Sequence, residues 1–477
     1  MNRKESETES LRGLYVICIG AFFIMLSLAT HLPAYPHMLE EFQLTAGSAV
    51  WMQLGLALGL TGFQPLLGWC GDAFGIKGVI LMGALFMVVG SVLVALSPAF
   101  WLLVVGLFFK GLAGAAIAPA GVAYAGTLFT GKQRGRSIGL FTSIMTIGAL
   151  FGPLLSGSFV DLFGWDSTFW VTALFGMIAF FLFWLGVPNV ETPGTRKLDV
   201  MGLLFVLIVL VGILTIPTFI NRYGFSSGSW LPSLAIFAIG LFSLIIIERK
   251  QRYPLLDIKY AANKNFWVPT LIAGLIFVGY SGVMYLLTFF VQDIQGKSAT
   301  TVGFLQMAIF LGSAGAAIIS GKIMGRFTVR KMLGGGITLF ALGLIMLIAV
   351  NILTSNLHLF ISMILIGVGS GSLAPVLKSI VVSKADTARI NVVTFTNTVI
   401  ENVAQRLGAS FALVVFTMFA AKGDGVSAIS NTTWIYIALV AVSLILLLLI
   451  PKRIEGIHKD HTTSSRVEEI KGTEKAR

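Results

Sequence analysis

The sequence predicts an all-α integral membrane protein with fourteen spanning helices, arranged as two six-helix bundles plus two additional helices. Three observations predict it. The chain of 477 residues is 56% hydrophobic and only 11% charged, with a mean hydropathy of +0.90, whereas soluble domains are about 45–50% apolar and about 25% charged. Its apolar residues collect into runs long enough to cross a bilayer, which takes ~20 residues per helix. Its basic residues fall on alternate connections between those runs.

The fourteen runs lie near 14–33, 48–69, 78–97, 101–128, 137–160, 168–187, 200–220, 230–247, 266–291, 302–321, 332–350, 357–377, 392–420 and 431–450. A spanning β-barrel would instead show segments of ~10 residues alternating in polarity. Stretches such as 203–214 (LLFVLIVLVGIL) do not alternate, so helices are expected. The first run follows Arg3, Lys4 and Arg12, as a secretory signal would. It ends in His31-Leu32-Pro33-Ala34 without a small-residue cleavage pattern, and it is read as a retained first helix.

Orientation follows from Lys and Arg. With the N-terminus in the cytoplasm, 28 of the 33 basic residues fall on cytoplasmic segments, while Arg222, Lys297 and Lys422 lie on outer loops and Lys110 and Arg406 inside runs. Both termini are therefore expected in the cytoplasm. The same asymmetry accounts for the net charge of +12, because a basic cytoplasmic surface faces an anionic leaflet. The composition excludes a soluble enzyme, a disordered chain and a nucleic-acid-binding domain. Cys18 and Cys70 are too few for a disulfide framework and read as small buried hydrophobes.

Internal organisation follows the long connections. A cytoplasmic N-terminus (1–13) precedes a six-helix bundle (14–187). Two extra helices with their linkers (188–265) separate it from a second bundle (266–450), and a solvated tail (451–477) follows. After the second run comes Gly68-Trp-Cys-Gly71-Asp72-Ala73-Phe-Gly75-Ile-Lys77, and after the tenth comes Gly321-Lys-Ile-Met-Gly325-Arg326 through Arg330-Lys331. These segments occupy equivalent places in the two six-helix sets, as in a transporter built from repeats with its substrate path between them.

Four stretches carry a resemblance to a known family. They are the 68–77 loop, Lys110-Gly-Leu-Ala-Gly114 in the fourth run, Gly148-Ala-Leu-Phe-Gly152-Pro153-Leu-Leu-Ser-Gly157 in the fifth, and Tyr253-Pro254-Leu255-Leu256-Asp257 together with Gln405-Arg406-Leu407-Gly408-Ala409. The sequence resembles the fourteen-helix drug:proton antiporter branch of the major facilitator superfamily. The resemblance implies alternating access, proton coupling and export of lipophilic compounds. It implies a cytoplasmic gate at Gly68, Asp72, Gly75 and Lys77, with Arg134 and Arg136 on the next cytoplasmic loop, and an antiporter hinge at Gly148, Gly152, Pro153 and Gly157. The sequence departs from the pattern at Ile24, where the branch carries an Asp, at Ala73 and at Lys110, where Arg is usual.

Other candidates follow from the residues themselves. Lys110 stands about nine residues into its run and hence ~14 Å deep, where an ionisable group is by default functional. Glu401 is the only acid well inside a run, at a similar depth. Asn397 and Gln405, four residues before and after it, make one polar stripe expected to face the central cavity, with Asn402 and Arg406 on an adjoining stripe. Glu401 is the first candidate for proton coupling, against the alternative of a fixed Glu401–Arg406 pair. His31 is a candidate relay. Gln53, Gln64, Tyr280, Tyr285, Phe289, Gln306 and Phe310 are candidate cavity walls, because aromatic walls with few polar groups suit lipophilic ligands.

No phosphate loop, metalloprotease, nucleophile-elbow or paired-cysteine motif is present, and no connection has room for a catalytic domain. The reading is therefore a non-enzymatic, monomeric transporter of the cell membrane. It needs no cofactor or metal and works with a small-molecule substrate, protons and the lipid bilayer. Lys110 favours an anionic or zwitterionic cargo and Glu401 a cationic one. A metabolite exporter, an uptake symporter of the same fold and a transport-inactive sensor are the rival readings.

Overall fold

The computed structural model describes residues 3–128, 131–189, 199–251, 260, 263–324, 326–383, 390–420 and 425–450. Much of the two expected linkers and all of the 451–477 tail lie outside the described residues, as do the side chains of Asp72 and Arg134. The described chain is nearly all helical. A backbone in hydrocarbon must satisfy its hydrogen bonds within its own segment, which selects helices.

Fourteen helices are long and apolar enough to span: α1 (Leu11–Glu41), α2 (Ala49–Gly71), α3 (Ile76–Ala95), α4 (Phe100–Ala125), α5 (Arg136–Phe163), α6 (Trp165–Gly186), α7 (Val200–Ile220), α8 (Leu231–Lys250), α9 (Lys264–Ile294), α10 (Ala299–Ile323), α11 (Val329–Ile348), α12 (Asn356–Val381), α13 (Thr396–Phe416) and α14 (Gly425–Leu447). An even number of spans puts the two ends of this set on one face, the termini face; the other is the far face.

Two of the helices that run past their expected limits do so through a break or an irregular turn. α1 breaks at Ala29–Thr30 and resumes over His31–Glu41. Pro33 sits in the first turn of that second piece, where a missing N–H costs nothing, so the proline restarts the helix instead of ending it. α9 continues through a π turn at Phe290–Ile294. α2 holds another at Leu58–Gly62, and Gly59 there lies against the carbonyl of Phe108. At the α2–α3 corner Gly75 has φ +82°, a conformation open to glycine and costly for other residues. The Asn431-Thr-Thr sequon lies inside α14 with Thr432 and Thr433 buried.

The packing divides the molecule into halves joined at one end. One apolar core unites the far-face parts of α1, α2, α5 and α6 (Tyr35, Met38, Val50, Val160, Phe169) with α9–α14 (Tyr285, Val302, Leu305, Ile337, Tyr436). A separate core (Ile17, Ile24, Ile80, Met87, Ala116, Phe141) fills the termini-face part of α1–α6. α7 packs on α8 and wedges between α2 and α13, with Leu214 against Leu54 and Ala57, and Val206 and Leu210 near Leu58 and Val403.

Glycines set the closest approach of the halves. A Cβ on Gly157 of α5 would meet the Ala299 carbonyl at 2.3 Å, and one on Gly303 of α10 would meet the Pro153 carbonyl at 2.2 Å. Small residues let helix backbones approach this closely. Toward the termini face the same helices open. Gly139, Leu140, Thr142, Ser143, Thr146 and Ile147 of α5 are exposed, as are Gly315, Ile318 and Ile319 of α10. A Cβ on Gly139, Gly315 or Gly321 would meet nothing within 4 Å.

Gly157→Leu should destabilise the protein by about 1–3 kcal/mol through overpacking, whereas Gly139→Leu on the same helix should leave stability within about 0.5 kcal/mol. Thermal unfolding of the two variants in one detergent compares them, and equal losses would contradict the asymmetric packing.

Candidate functional site

The helix break in α1, the middle of α13 and the far half of α9 bring the deep polar groups together. His31, at the break, lies in a ring contact with Tyr35 at 5.3 Å, and its Nδ1–H donates to the Leu28 carbonyl at 2.8 Å. That bond fixes Nδ1 as the donor in the neutral ring. Tyr35 meets Tyr285 of α9 edge-on at 6.1 Å. Tyr285 in turn donates its hydroxyl to Oε1 of Gln53 on α2. This chain crosses from one half to the other on the far-face side of the molecule's middle.

Arg406 lies beside the crossing, in electrostatic reach of Tyr285, Tyr35 and His31. Its Nε is buried without a hydrogen-bond partner. Among the described residues the one ion pair joins Lys378 and Glu401, so the expected alternative of a Glu401–Arg406 pair is not formed.

Glu401 is built into a different chain. Thr270 of α9 donates to Asn397 Oδ1 at 2.7 Å, and Asn397 Nδ2 donates to Glu401 Oε1 at 2.7 Å. Lys378 of α12 approaches Glu401 Oε2 at 3.7 Å. Glu401 is buried at 7% exposure, while the Lys378 side chain is 49% exposed, so the pair has one wet and one dry end. The Asn397–Glu401–Gln405 stripe thus faces α9 and α12 within the second half, where Gln405 also accepts a bond from Ser281 through its backbone. It was expected to face the central cavity. At 3.6 residues per turn, five residues place Arg406 about 140° around the helix from Glu401, and it is the Arg406 side that reaches the crossing.

Lys110 also departs from expectation. Its fully buried ammonium lies within the first half, donating to Thr172 Oγ1 of α6 at 3.4 Å and standing 4.5 Å from the Phe169 ring centroid. Thr172 passes a bond to Ser91 of α3 at 3.0 Å. A hydroxyl and an aromatic face replace the solvation of the charge, since cation–π contact strengthens when desolvated. Lys110 was read as a functional group at the central cavity from its depth, and depth alone does not tell which way a side chain points.

The remaining candidates separate. Gln53 and Tyr285 join the crossing. Tyr280 packs near Phe277, Phe289 packs against Phe416, and Phe310 packs on the core. Gln306 is buried inside the second half, donating to Thr288 at 2.9 Å, and Gln64 is half-buried in α2. Gly148 and Gly152 back onto the α1 carbonyls of Phe22 and Leu26, while Gly157 meets α10, so the motif serves two interfaces. At the expected gate, Gly68 has open space beside it, Lys77 is half-buried and Arg136 is exposed.

Three far-face contacts were not found from the sequence. Asp161 of α5 accepts from the Ala299 and Thr300 amides at 2.9 and 2.7 Å, capping α10 across the halves. Gln292 of α9 donates to the Pro33 carbonyl at 3.1 Å, and Trp165 donates to Glu41. Beside them an open cleft of about 510 Å³ is lined by residues including His37, Glu40, Asp293 and Lys297. Charged residues near span ends carry no signal of such partners in a single sequence.

Two helical halves that press backbones together toward the far face and carry titratable groups at depth define the architecture of a membrane transporter. The chain belongs to the Major Facilitator Superfamily, whose model matches residues 17–409 and 269–473. It is 26% identical over 328 residues to the Multidrug transporter protein MdtP of Bacillus subtilis (strain 168), covering 69% of this chain and 61% of that protein. It is 28% identical over 375 residues to the Multidrug resistance protein Stp of Mycobacterium tuberculosis, covering 77% and 67%. The Riboflavin transporter RibZ of Clostridioides difficile is 22% identical over 75% of this chain and 78% of its own. The chain thus spans about three fifths of the length of MdtP. A POT family transporter in complex with 5-aminolevulinic acid superposes with a TM-score of 0.66 at 17% identity, over 92% of this chain and 95% of that one. The chain is accordingly a multi-pass membrane protein of this superfamily, and the fourteen spans among the described residues agree with the fourteen-helix branch.

Lys110→Met should keep the fold and hold or raise the unfolding temperature, because replacing a buried ion by an apolar group of similar volume is often neutral or stabilising. Thermal melts in detergent check it, and a large loss of stability would assign Lys110 a structural role beyond what its partners supply.

Proposed function

We propose that the protein is a proton-coupled secondary transporter that exports lipophilic small molecules by alternating access, drawn here in the state open to the cytoplasm. The observation that carries this is the one-ended packing of the halves. Gly157 and Gly303 press backbones together at the far face, while the same two helices are exposed toward the termini face. The excess of Lys and Arg on the termini-face segments supports placing that face in the cytoplasm. The multidrug names of MdtP and Stp support a lipophilic cargo.

In this reading the units 14–187 and 266–450 rock against each other, with 188–265 closing one side, and the protein works as a monomer in the cell membrane. Asp161, Gln292 and the Tyr285–Gln53 contact release when the far face opens. Asp72, Lys77, Arg134 and Arg136 then come together to close the cytoplasmic face. Exposed ion pairs of about 1 kcal/mol or less suit contacts broken in every cycle.

Proton coupling is assigned to Glu401. Ionised, it holds Lys378 from α12 and the Asn397 amide. Protonated, it loses the attraction for Lys378 and lets α12 and α13 separate. The exposed side of Lys378 supplies the water path by which the proton arrives or leaves. Ile24 supplies no alternative carboxylate in α1.

The test uses purified protein in liposomes, an imposed pH step, and ethidium and fluorescein as a cationic and an anionic cargo. The wild type should accumulate at least one of the two dyes against its gradient. Glu401→Gln should lower that pH-driven accumulation at least about tenfold while exchange of the same dye at equal pH persists. Undiminished pH-driven accumulation in Glu401→Gln would reject the coupling assignment, and no movement of either dye together with no proton flux in the wild type would reject the exporter reading.

A further inference from the structure

The membrane centre holds more positive charge than the protein itself balances. Of the 21 Asp and Glu, only Glu401 stands in the middle of a span; the others lie near span ends, in connections or in the terminal segments. Glu401 is occupied by Lys378 and Asn397. Lys110 is solvated inside the first half by Thr172 and the Phe169 ring. Arg406 has neither arrangement. Among the described residues it has no carboxylate within ion-pair distance, its Nε is buried without a partner, and no aromatic ring lies over its guanidinium.

Leaving a buried charge uncompensated is strongly unfavourable, and a guanidinium cannot lose its proton to escape the cost. The position of Arg406 shows where compensation could come from. The residue is half-buried, with an Nε that meets no partner. Its electrostatic neighbours are Tyr285, Tyr35 and His31, at the crossing between the halves. The neighbours are two aromatic hydroxyls and an imidazole whose Nδ1–H is already committed to Leu28. None of them carries a negative charge in its ordinary form.

We propose that Arg406, whose buried Nε has no partner, is a substrate-binding group that takes the carboxylate of a lipophilic organic anion. The inference deepens the transport reading and rests on it. A guanidinium presents a planar fork of donors that matches a carboxylate with two parallel bonds. One monoanion satisfies the stranded charge, and the Lys378–Glu401 pair stays neutral as a unit and free for the proton. A cation in the same place would add to the charge of Arg406. The binding group also lies on the second half while Tyr35 and His31 belong to the first, so a bound anion contacts both halves and senses their rearrangement.

The test measures binding to the purified full chain by fluorescence anisotropy, using fluorescein, its methyl ester and rhodamine 6G as an anionic, a less charged and a cationic probe of similar shape. The wild type should bind fluorescein about 10- to 100-fold more tightly than the ester, the size of a charge-assisted bond. Arg406→Gln should remove that preference and tighten rhodamine 6G binding by lifting the charge repulsion, and Arg406→Lys should restore part of the preference, since an ammonium keeps the charge without the fork. A measurement on the unaltered protein guards against a variant that fails to fold: benzoate, and not benzamide, should slow modification of Arg406 by phenylglyoxal. Equal binding of the three probes, preference for rhodamine 6G, or no protection by benzoate overturns the proposal. If ethidium still moves with the pH step in liposomes, the transport reading survives that failure; if nothing moves, both fall.

Discussion

The structure depends on backbone-to-backbone contact between α5 and α10 at the far face. Gly157 lies over the Ala299 carbonyl and Gly303 over the Pro153 carbonyl, so no side chain separates the helices there. Hydrocarbon supplies no hydrophobic drive for helix association, which leaves dispersion and polar contacts to hold helices together. Both are short-ranged, and both are concentrated where the glycines allow the closest approach. Asp161 adds a carboxylate on the amide end of α10, the favourable end for negative charge. The opening toward the termini face then follows from geometry, because two rigid helices touching at one end diverge at the other.

That divergence decides which groups meet water. The first half keeps its own apolar core on the termini side, separate from the core that joins the halves toward the far face. Lys110 belongs to the first half. Its contacts with Thr172 and Phe169 tie α4 to α6 and are indifferent to the state of the interface. Glu401 and Arg406 sit on one helix with opposite circumstances. Glu401 is held within the second half, next to a half-exposed Lys378, whereas Arg406 is aimed at the crossing. Glu401 and Arg406 lie on two sides of α13, so rotation or tilt of that helix moves both.

α7 and α8 have a separate consequence. α7 contacts α2 of the first half and α13 of the second through Leu54, Ala57, Val403 and Leu407. It seals one flank of the interface with apolar side chains alone, which can slide without breaking hydrogen bonds.

Much of the fold was legible in the sequence because the bilayer makes length and hydropathy decisive. The fourteen runs follow from segment-level rules that need no partner. The end of α1 was misjudged, because Pro33 reads as a stop until it is seen in the first turn of a new helix. The site was less legible. Glu401 and Arg406 were found by depth, but the stripe rule turned Glu401 toward the cavity, and Lys378 was counted with a connection when it is the last-turn partner of that acid. Depth and periodicity are properties of one helix, while the direction of a stripe depends on how that helix is rotated among its neighbours. The sequence by itself determined that the chain crosses the membrane fourteen times and carries few ionisable groups at depth, because transfer into hydrocarbon selects residues one segment at a time. Only the tertiary structure decided which of those charges are matched inside a half and which is left at the seam, because an ion pair is a property of two helices and their rotation.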